Sequence, residues 1–539
     1  MYIATLMNGK QHLNYLFLSL SSALLLWLAW PPHQLGWVSF IAWVPLLFLL
    51  RLINAQAARK SLYRFMYTFI ALVTWNLLCT YWIKNASVFG AIAAAVIVNG
   101  LLMPLPLMLY QWLIKRINPR FHIWCFVAPW LLFEFFHLNW ELAWPWLTLG
   151  NAFANNLSWI QWYEYTGVLG GSFWILTVNY LIYRLLVQLN EFTVKEKLTQ
   201  TSIITLSICL PFLLSYVVWR NYLLHDAANT KHVQVVIVQP NHDPYHEKFE
   251  QPPNLLVNEM LQLSLQQVDS ETQYLVLPET ALTDGIFEND NGNTSQSIQQ
   301  LKTLLEKFPG LNIISGADTY LFYQDKATAT ARYSKRGKQW YDVFNTALEL
   351  NHGDSVQFYH KSKLVPGVER MPYPQIFGFL EDFAIELGGT SGSLGAQDEA
   401  GVFTGLNTVA PVICYESIFG NYVADYVRKG AEFICIITND GWWGDTEGYM
   451  QHYAYASLRA IETRRSIARS ANTGISCFID ATGQRTQATD WWKPAVIKGK
   501  IKPDSALTFY VRFGDYMGWL ALLATLALLI NAKISGNKN

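Results

Sequence analysis

Three reactive residues in the second half of the chain each close an apolar run. Glu279 follows Leu275-Val-Leu-Pro278, Lys361 follows Phe358-Tyr-His360, and Cys414 follows Pro411-Val-Ile413. Such runs read as buried strands, and in α/β sheets strand ends gather at one rim, where ligands bind. A thiol beside a carboxylate and an ammonium has a defined use. The carboxylate takes the thiol proton, and the thiolate attacks an acyl carbon. The same acid then protonates the leaving group, while the ammonium offsets charge developing on the carbonyl oxygen. Taken singly, each residue has an ordinary explanation: a strand-end cysteine is commonly core, and a rim glutamate or lysine commonly forms a surface ion pair. Beyond Cys414 a helix-compatible segment begins, and a helix N-terminus favours the thiolate.

The elements that must position these residues lie in 230–508. His232–Pro240 is a β-branched run closed by Gln-Pro-Asn, and further strands are expected over 274–280, 311–316, 343–350, 356–360, 431–438 and 474–480. Helical spacing of apolar residues marks 253–268, 295–308 and 449–466. Strands interleaved with helices describe one α/β domain with helices on the sheet faces. The stretch 320–341, with Lys326, Arg332, Lys335, Arg336 and Lys338, reads as a solvated excursion. The Gly-, Ser- and acid-rich stretch 377–403 reads as a long loop of the kind that serves as a lid.

The rest of the chain is written for a membrane. Hydrophobic residues make up 52% of the 539 and aromatics 15%, with 22 Trp, while only 14% are charged, against about 25% in ordinary soluble domains. Apolar stretches approach the roughly 20 residues needed to cross about 30 Å of hydrocarbon near 12–30, 35–50, 64–83, 87–114, 122–138, 166–188 and 201–219. An eighth lies at 516–532. The expected organisation is a seven-span bundle over 1–222, the α/β domain over 230–508, and a last transmembrane helix at 514–533. Pro104, Pro106, Pro129 and Pro211 fall inside spans and predict kinks.

Arg51, Arg59, Lys60 and Arg64 lie between spans two and three; Lys115, Arg116 and Arg120 between four and five; Arg184, Lys195 and Lys197 between six and seven. The alternate connections carry only Lys84. Basic residues on one side predict cytoplasmic termini and an α/β domain outside the cytoplasm. The connection 138–165 is dense in Trp and Tyr, as an interfacial belt or as a platform for approaching acyl chains.

Several function classes drop out. Lys and Arg total 39 against 39 acidic residues, with no basic stripe to meet nucleic acid. The six cysteines include no Cys-x-x-Cys pair, and His352, His360 and His452 show no ligand spacing, so neither metal nor cofactor is expected. Glu134, His137 and Lys84 lie near span ends and trace no ion path, which argues against a transporter.

The motifs around the three reactive residues resemble the Glu-Lys-Cys triad of the nitrilase superfamily. They are Leu277-Pro-Glu-Thr280, Tyr359-His-Lys-Ser-Lys-Leu-Val-Pro366 and Ile413-Cys-Tyr-Glu416, continued by Thr438-Asn-Asp-Gly-Trp-Trp-Gly444 and Arg469-Ser-Ala-Asn-Thr-Gly474. With spans before and after the domain, the full length resembles the apolipoprotein N-acyltransferase family, membrane enzymes that finish bacterial lipoproteins.

The resemblance implies an α-β-β-α sandwich on the periplasmic face of the inner membrane. It implies Glu279 as general base, Lys361 as oxyanion stabiliser and Cys414 as nucleophile, with Glu369, Tyr415 and Glu416 as accessory or substrate-binding residues. It further implies a phospholipid acyl donor and a diacylglyceryl apolipoprotein acceptor. Lys363 would share a strand face with Lys361, and the motif register favours Lys361. The family commonly reads Leu-Val-Pro-Phe-Gly-Glu where this chain has Leu364-Val-Pro-Gly-Val-Glu369. Its tryptophan after the first strand is not evident, and Phe249 is the nearest aromatic. The competing enzymatic reading is a membrane-tethered nitrilase-type amidase acting on a small soluble amide.

Overall fold

The computed structural model describes residues 2–57, 59–228, 230–353, 355–377 and 393–536; within the loop expected over 377–403, residues 378–392 lie outside that set. The chain divides into two compact units. One comprises Met1–Tyr81, Ala91–Asn221 and Phe513–Asn539; the other comprises Trp82–Gly90 and Tyr222–Arg512.

The first unit is helical. Among the described residues, six stretches are long and apolar enough to cross a membrane: Gly36–Gln56, Lys60–Asn85, Gly90–Leu113, Val168–Val187, Val194–Ala227 and Tyr516–Ser535. The remaining two expected spans are helical as well, within Tyr2–Leu28 and His122–His137. Packing and buried hydrogen bonds, rather than water, drive helices together in lipid. Accordingly the rings of Trp43 and Trp130 meet at 4.4 Å and those of Trp30 and Trp75 at 5.2 Å. Asn179 accepts from the Trp43 N–H at 2.8 Å and donates to the Ser39 carbonyl at 2.7 Å.

Pro104 opens the helix Pro104–Leu113, where its missing N–H leaves no bond unmade, after a π-helical turn at Ala93–Val98. The aromatic connection 138–165 is partly core. Trp146 and Tyr163 are buried, and Tyr163 donates to the Gly150 carbonyl at 2.9 Å.

The second unit is built on two sheets. The larger contains β1 (Val233–Gln239), β2 (Tyr274–Val276), β3 (Leu282–Phe287), β4 (Asn312–Tyr323), β5 (Arg332–Ser334), β6 (Gln339–Leu350), β7 (Gln357–His360) and β14 (Ala495–Ile501). Its main order is β14-β1-β2-β4-β6-β5, with β3 on β4 and β7 on β6. The smaller runs β13-β12-β11-β10-β9-β8, from β8 (Phe403–Thr404), β9 (Thr408–Ile413), β10 (Phe433–Thr438), β11 (Ile467–Ala471), β12 (Cys477–Ile479) and β13 (Arg485–Thr486).

The helices Pro253–Ser264 and Gln296–Lys307 close one face of the larger sheet. Met260, Leu301 and Leu304 pack there against Val236, Leu275 and Ile313. The helices Gly420–Arg428 and Glu447–Thr463 accompany the smaller sheet. The two sheets meet face to face, with the Tyr274 ring 5.2 Å from Phe433 and Ser470 donating to the Val238 carbonyl at 2.9 Å. The result is the expected α-β-β-α sandwich.

One expectation is corrected. The stretch 320–341 is not a free excursion: β4 runs on to Tyr323 and pairs with β6 as far as Tyr323↔Trp340. Cross-strand rings explain it, since Phe322 and Tyr341 are register partners with centroids 5.7 Å apart. The basic residues Lys335, Arg336 and Lys338 occupy only the turn before β6.

Candidate active site

Register places polar residues in one row across the larger sheet. Asp318 on β4 faces Asn345 on β6, and the Lys361 N–H continues the β6–β7 ladder by donating to the Asn345 carbonyl at 2.9 Å. Directly opposed residues on antiparallel strands share a face, so all three side chains point the same way. Glu279 arrives from the turn after β2. Leu277 N–H bonds the Ile314 carbonyl and Gly316 N–H bonds Pro278, after which Thr280 turns with φ of +47°.

The side chains converge. Lys361 Nζ stands 3.1 Å from Glu279 Oε1 and 2.7 Å from Glu369 Oε1. Asn345 Nδ2 donates to the same two oxygens at 2.8 and 3.2 Å. From the smaller sheet, the N–H of Asn439, just past β10, donates to Glu279 Oε2 at 3.0 Å. Lys361 is 1% exposed and Glu279 5%, so their charges act at low dielectric. Burial favours the neutral form of Glu279, but Lys361, Asn345 and Lys248 outweigh it and hold the carboxylate below its usual range. Burial likewise works against the Lys361 ammonium, and Glu279 with Glu369 reverses it, raising Lys361 well above a normal lysine.

Cys414 leaves β9 into a turn at φ of +48°, a left-handed conformation that costs on the order of 1–3 kcal/mol in a non-glycine residue. The surrounding bonds impose it. Ser417 donates to the Cys414 carbonyl at 2.7 Å, and Glu416 Oε2 accepts from the Ile413 N–H at 2.9 Å. The expectation that a helix N-terminus makes this cysteine a thiolate is not met at rest. Burial pushes the thiol far up, the charge of Glu279 adds to the effect, and Lys361 opposes it. The resting pair is therefore a thiol facing a carboxylate, the protonation a general base requires.

The accessory residues divide by role in the geometry. Glu369 shares Lys361, and its other oxygen accepts from the Val365 N–H at 2.7 Å. The Gly367-Val368 departure is absorbed locally, since Gly367 takes φ of +75° and its N–H bonds the Arg370 carbonyl at 2.8 Å. Glu416 is fully buried and ties two loops together, accepting from Ser362 N–H and Tyr359 Oη at 2.7 Å each on Oε1. Tyr415 is buried, with its ring 5.0 Å from Phe419. Lys363 turns away, with its ammonium over the rings of Tyr422 and Phe419 at 5.2 and 5.7 Å, and it is Lys361 that meets Glu279. Phe249 is exposed.

Sequence reasoning passed over Asn345, Asp318, Lys248 and the Asn439 main chain. The first two did leave a signal: each is a polar residue at an inward position of an apolar strand. Lys248, on a loop, left none. Among the described residues no His, Cys, Asp and Glu cluster could hold a metal ion.

The apolipoprotein N-acyltransferase N-terminal domain matches residues 22–181, and the carbon-nitrogen hydrolase domain matches 234–508. The chain is 32% identical over 519 residues to an apolipoprotein N-acyltransferase of Chlorobaculum tepidum, covering 94% of each protein. It is 26% identical to those of Geobacter metallireducens and Rickettsia prowazekii. The first alignment covers 73% of this chain and 71% of the relative, the second 75% of each.

Proposed function

The chain belongs to the apolipoprotein N-acyltransferase family, with a carbon–nitrogen hydrolase domain as its catalytic part, and on that footing we propose that Cys414 carries an acyl group as a thioester between a phospholipid and a lipoprotein amine. The protein is a membrane acyltransferase that N-acylates lipoproteins. In the first half-reaction Glu279 takes the Cys414 proton and the sulfur attacks a phospholipid ester carbonyl. Lys361 stabilises the oxyanion, and Glu279 returns the proton to the departing lysophospholipid alcohol. In the second, the α-amine of a diacylglyceryl-cysteine attacks the thioester, Glu279 accepts its proton, and the thiol is restored as the amide forms.

The observation that carries this reading is the single ammonium of Lys361 bonded to both Glu279 and Glu369 on the larger sheet, with Cys414, at the end of β9 in the smaller sheet, under the charges of Lys361 and Glu279. Glu369 keeps Lys361 charged and aimed while Glu279 shuttles protons. The alternation of Lys and Arg between spans supports eight crossings, cytoplasmic termini and a periplasmic catalytic domain in a bacterial inner membrane. A soluble-amide hydrolase would need one anchoring span; two lipid substrates held laterally in a membrane account for a bundle.

The test is incubation of the purified protein with acyl-labelled phospholipid, followed by hydroxylamine. A labile adduct on wild type that Cys414→Ala lacks is the expected result; an undiminished adduct on Cys414→Ala removes the acyl-enzyme. A diacylglyceryl peptide with a blocked N-terminus should accept no acyl group, and equal acceptance by blocked and free peptides overturns N-acylation.

A further inference from the structure

The acyl-transfer steps above leave one buried cation unused. Lys248 lies in the loop after β1 and is 3% exposed. Its N–H bonds the Asp243 carbonyl at 2.9 Å, which folds the loop inward, and its ammonium donates to the main-chain carbonyl of Glu279 at 2.9 Å. That carbonyl precedes Thr280, the residue at φ of +47°. The titratable groups acting on the ammonium are Glu279, Asp318 on β4 and Cys414, and its own loop adds the Phe249 ring 5.9 Å away.

A buried lysine is costly unless something needs its charge. Here the site holds three carboxyl groups, those of Glu279, Glu369 and Asp318, and during reaction a thiolate. Lys361 neutralises one negative charge while bonded to two of the carboxylates. Proton transfer moves the charge of Glu279 onto the Cys414 sulfur, and on either atom it exceeds what Lys361 offsets, because Glu369 shares that ammonium. Lys248 faces both ends of the proton transfer, Glu279 and Cys414, and holds the first by its backbone.

We propose that Lys248 is a positioning residue of the acyl-transfer centre, clamping the Glu279 main chain and supplying the second positive charge against which Glu279 and the Cys414 thiolate form. The proposal rests on the acyl-transfer reading of Glu279 and Cys414. Burial pulls this lysine down to about 8, with Glu279, Asp318 and Cys414 pulling the other way. The ammonium is thus charged below about pH 8 and neutral above it, and acylation that depends on its charge falls as pH rises through that value.

The test is single-turnover thioester formation by the full-length protein in mixed micelles with acyl-labelled phospholipid, from about pH 6 to about pH 10. Wild type should lose rate above about pH 8. Lys248→Met should be slower by about tenfold or more at neutral pH, with the half-saturating lipid concentration unchanged and the alkaline fall gone. Lys248→Arg, whose guanidinium stays charged, should recover part of the rate and lack the alkaline fall across the range.

Wild-type rate and pH profile in Lys248→Met overturn the proposal, as does an unchanged alkaline fall in Lys248→Arg. The second outcome decides even if Lys248→Met does not fold. A wild-type protein that forms no thioester overturns the acyl-enzyme reading, and this proposal with it. Thioester formation that is indifferent to Lys248 overturns this proposal alone.

Discussion

A Cβ added to Gly316 would stand 2.6 Å from the Cα of Glu279 and press on the Thr280 amide. β4 passes the turn bearing the proposed general base with no side chain between the two backbones, and the Gly316 N–H bond to the Pro278 carbonyl at 3.0 Å fixes the approach. The overlap in Gly316→Ala is with main chain, which no rotamer relieves. Overpacking of this kind costs about 1–3 kcal/mol. The larger effect is on rate, because a small misplacement of a reacting group costs up to about a hundredfold. Thioester formation should slow by about ten- to a hundredfold with little change in half-saturating lipid, measured beside the thermal unfolding midpoint. Gly367→Ala is the control: its φ is positive at +75°, unlike that of Gly316, but nothing lies within 4 Å of the added carbon. That variant should lose about 1 kcal/mol from backbone strain alone and keep most of its rate.

Removing Lys361 leaves the buried Glu279 and the half-buried Glu369 carboxylates facing each other across Asn345. Breaking a buried ion pair from one side costs about 3–5 kcal/mol. Lys361→Met should therefore form no thioester and unfold at a markedly lower temperature. Lys361→Arg should not recover activity, since a planar fork cannot replace a point charge held by two carboxylates from different directions. Adding Glu369→Gln to Lys361→Met removes one of the stranded charges. The double variant should regain stability without regaining activity. If it is no more stable than Lys361→Met, charge repulsion is not what the lysine offsets.

Asp318 gives the fold a pH dependence of its own. Burial raises its carboxyl to about 7, with Lys248 opposing and Glu279 and Glu369 adding to the rise. In the unfolded chain an aspartate titrates near about 3.9. Between those values the folded protein holds a proton that the unfolded chain releases, so stability declines as pH rises from about 4 to about 7 and levels off above. The depressed Glu279 has the opposite sign, its contribution being lost as pH falls below the ordinary glutamate range, so the two windows separate. Wild-type stability, followed by thermal midpoints, should fall between about pH 4 and about pH 7, by an amount on the order of 1–4 kcal/mol. Asp318→Asn should flatten that decline. An equal decline in the variant would assign it to another group.

The strand ends carrying Glu279, Lys361 and Cys414 were legible in sequence because a buried strand is a local signal: an apolar run, then a polar residue. The spans were legible for the same reason. What local pattern cannot convey is which strands lie side by side. Asn345 became a site residue only when β6 paired with β4 and β7, which set it in register with Asp318 and the Lys361 backbone. Lys248 sits on a loop whose course is fixed by a main-chain bond to Asp243, which no side-chain pattern encodes. The Cys414 reading failed in one physical respect. A helix N-terminus favours a thiolate, but desolvation and the nearby Glu279 carboxylate outweigh it, and both depend on tertiary packing. The same blindness extended the supposed excursion at 320–341, where cross-strand aromatic pairs continue the sheet.

Glu416 offers the last prediction, because every group around its carboxylate is a donor. Oε2 accepts from Ile413 N–H and Tyr426 Oη, both at 2.9 Å. Oε1 accepts from Ser362 N–H and Tyr359 Oη at 2.7 Å each, and from Lys363 N–H at 3.3 Å. Tyrosine hydroxyls can rotate to meet an amide, but main-chain N–H groups cannot. Two such groups face Oε1 and one faces Oε2, so Glu416→Gln sets its NH₂ against a fixed donor whichever way it turns. Leaving buried donors unsatisfied costs about 1–3 kcal/mol each. The bonds lost belong to the residue after Lys361 or the residue before Cys414, so the strain reaches the site through whichever loop yields. Glu416→Gln should lose about 2–4 kcal/mol of stability and slow thioester formation by about tenfold or more. Glu416→Asp, too short to reach both loops, should do no better. Thermal midpoints and single-turnover rates measured together decide it. A Glu416→Gln protein that is destabilised but fast would show that the bridge holds the fold without aligning Lys361 to Cys414.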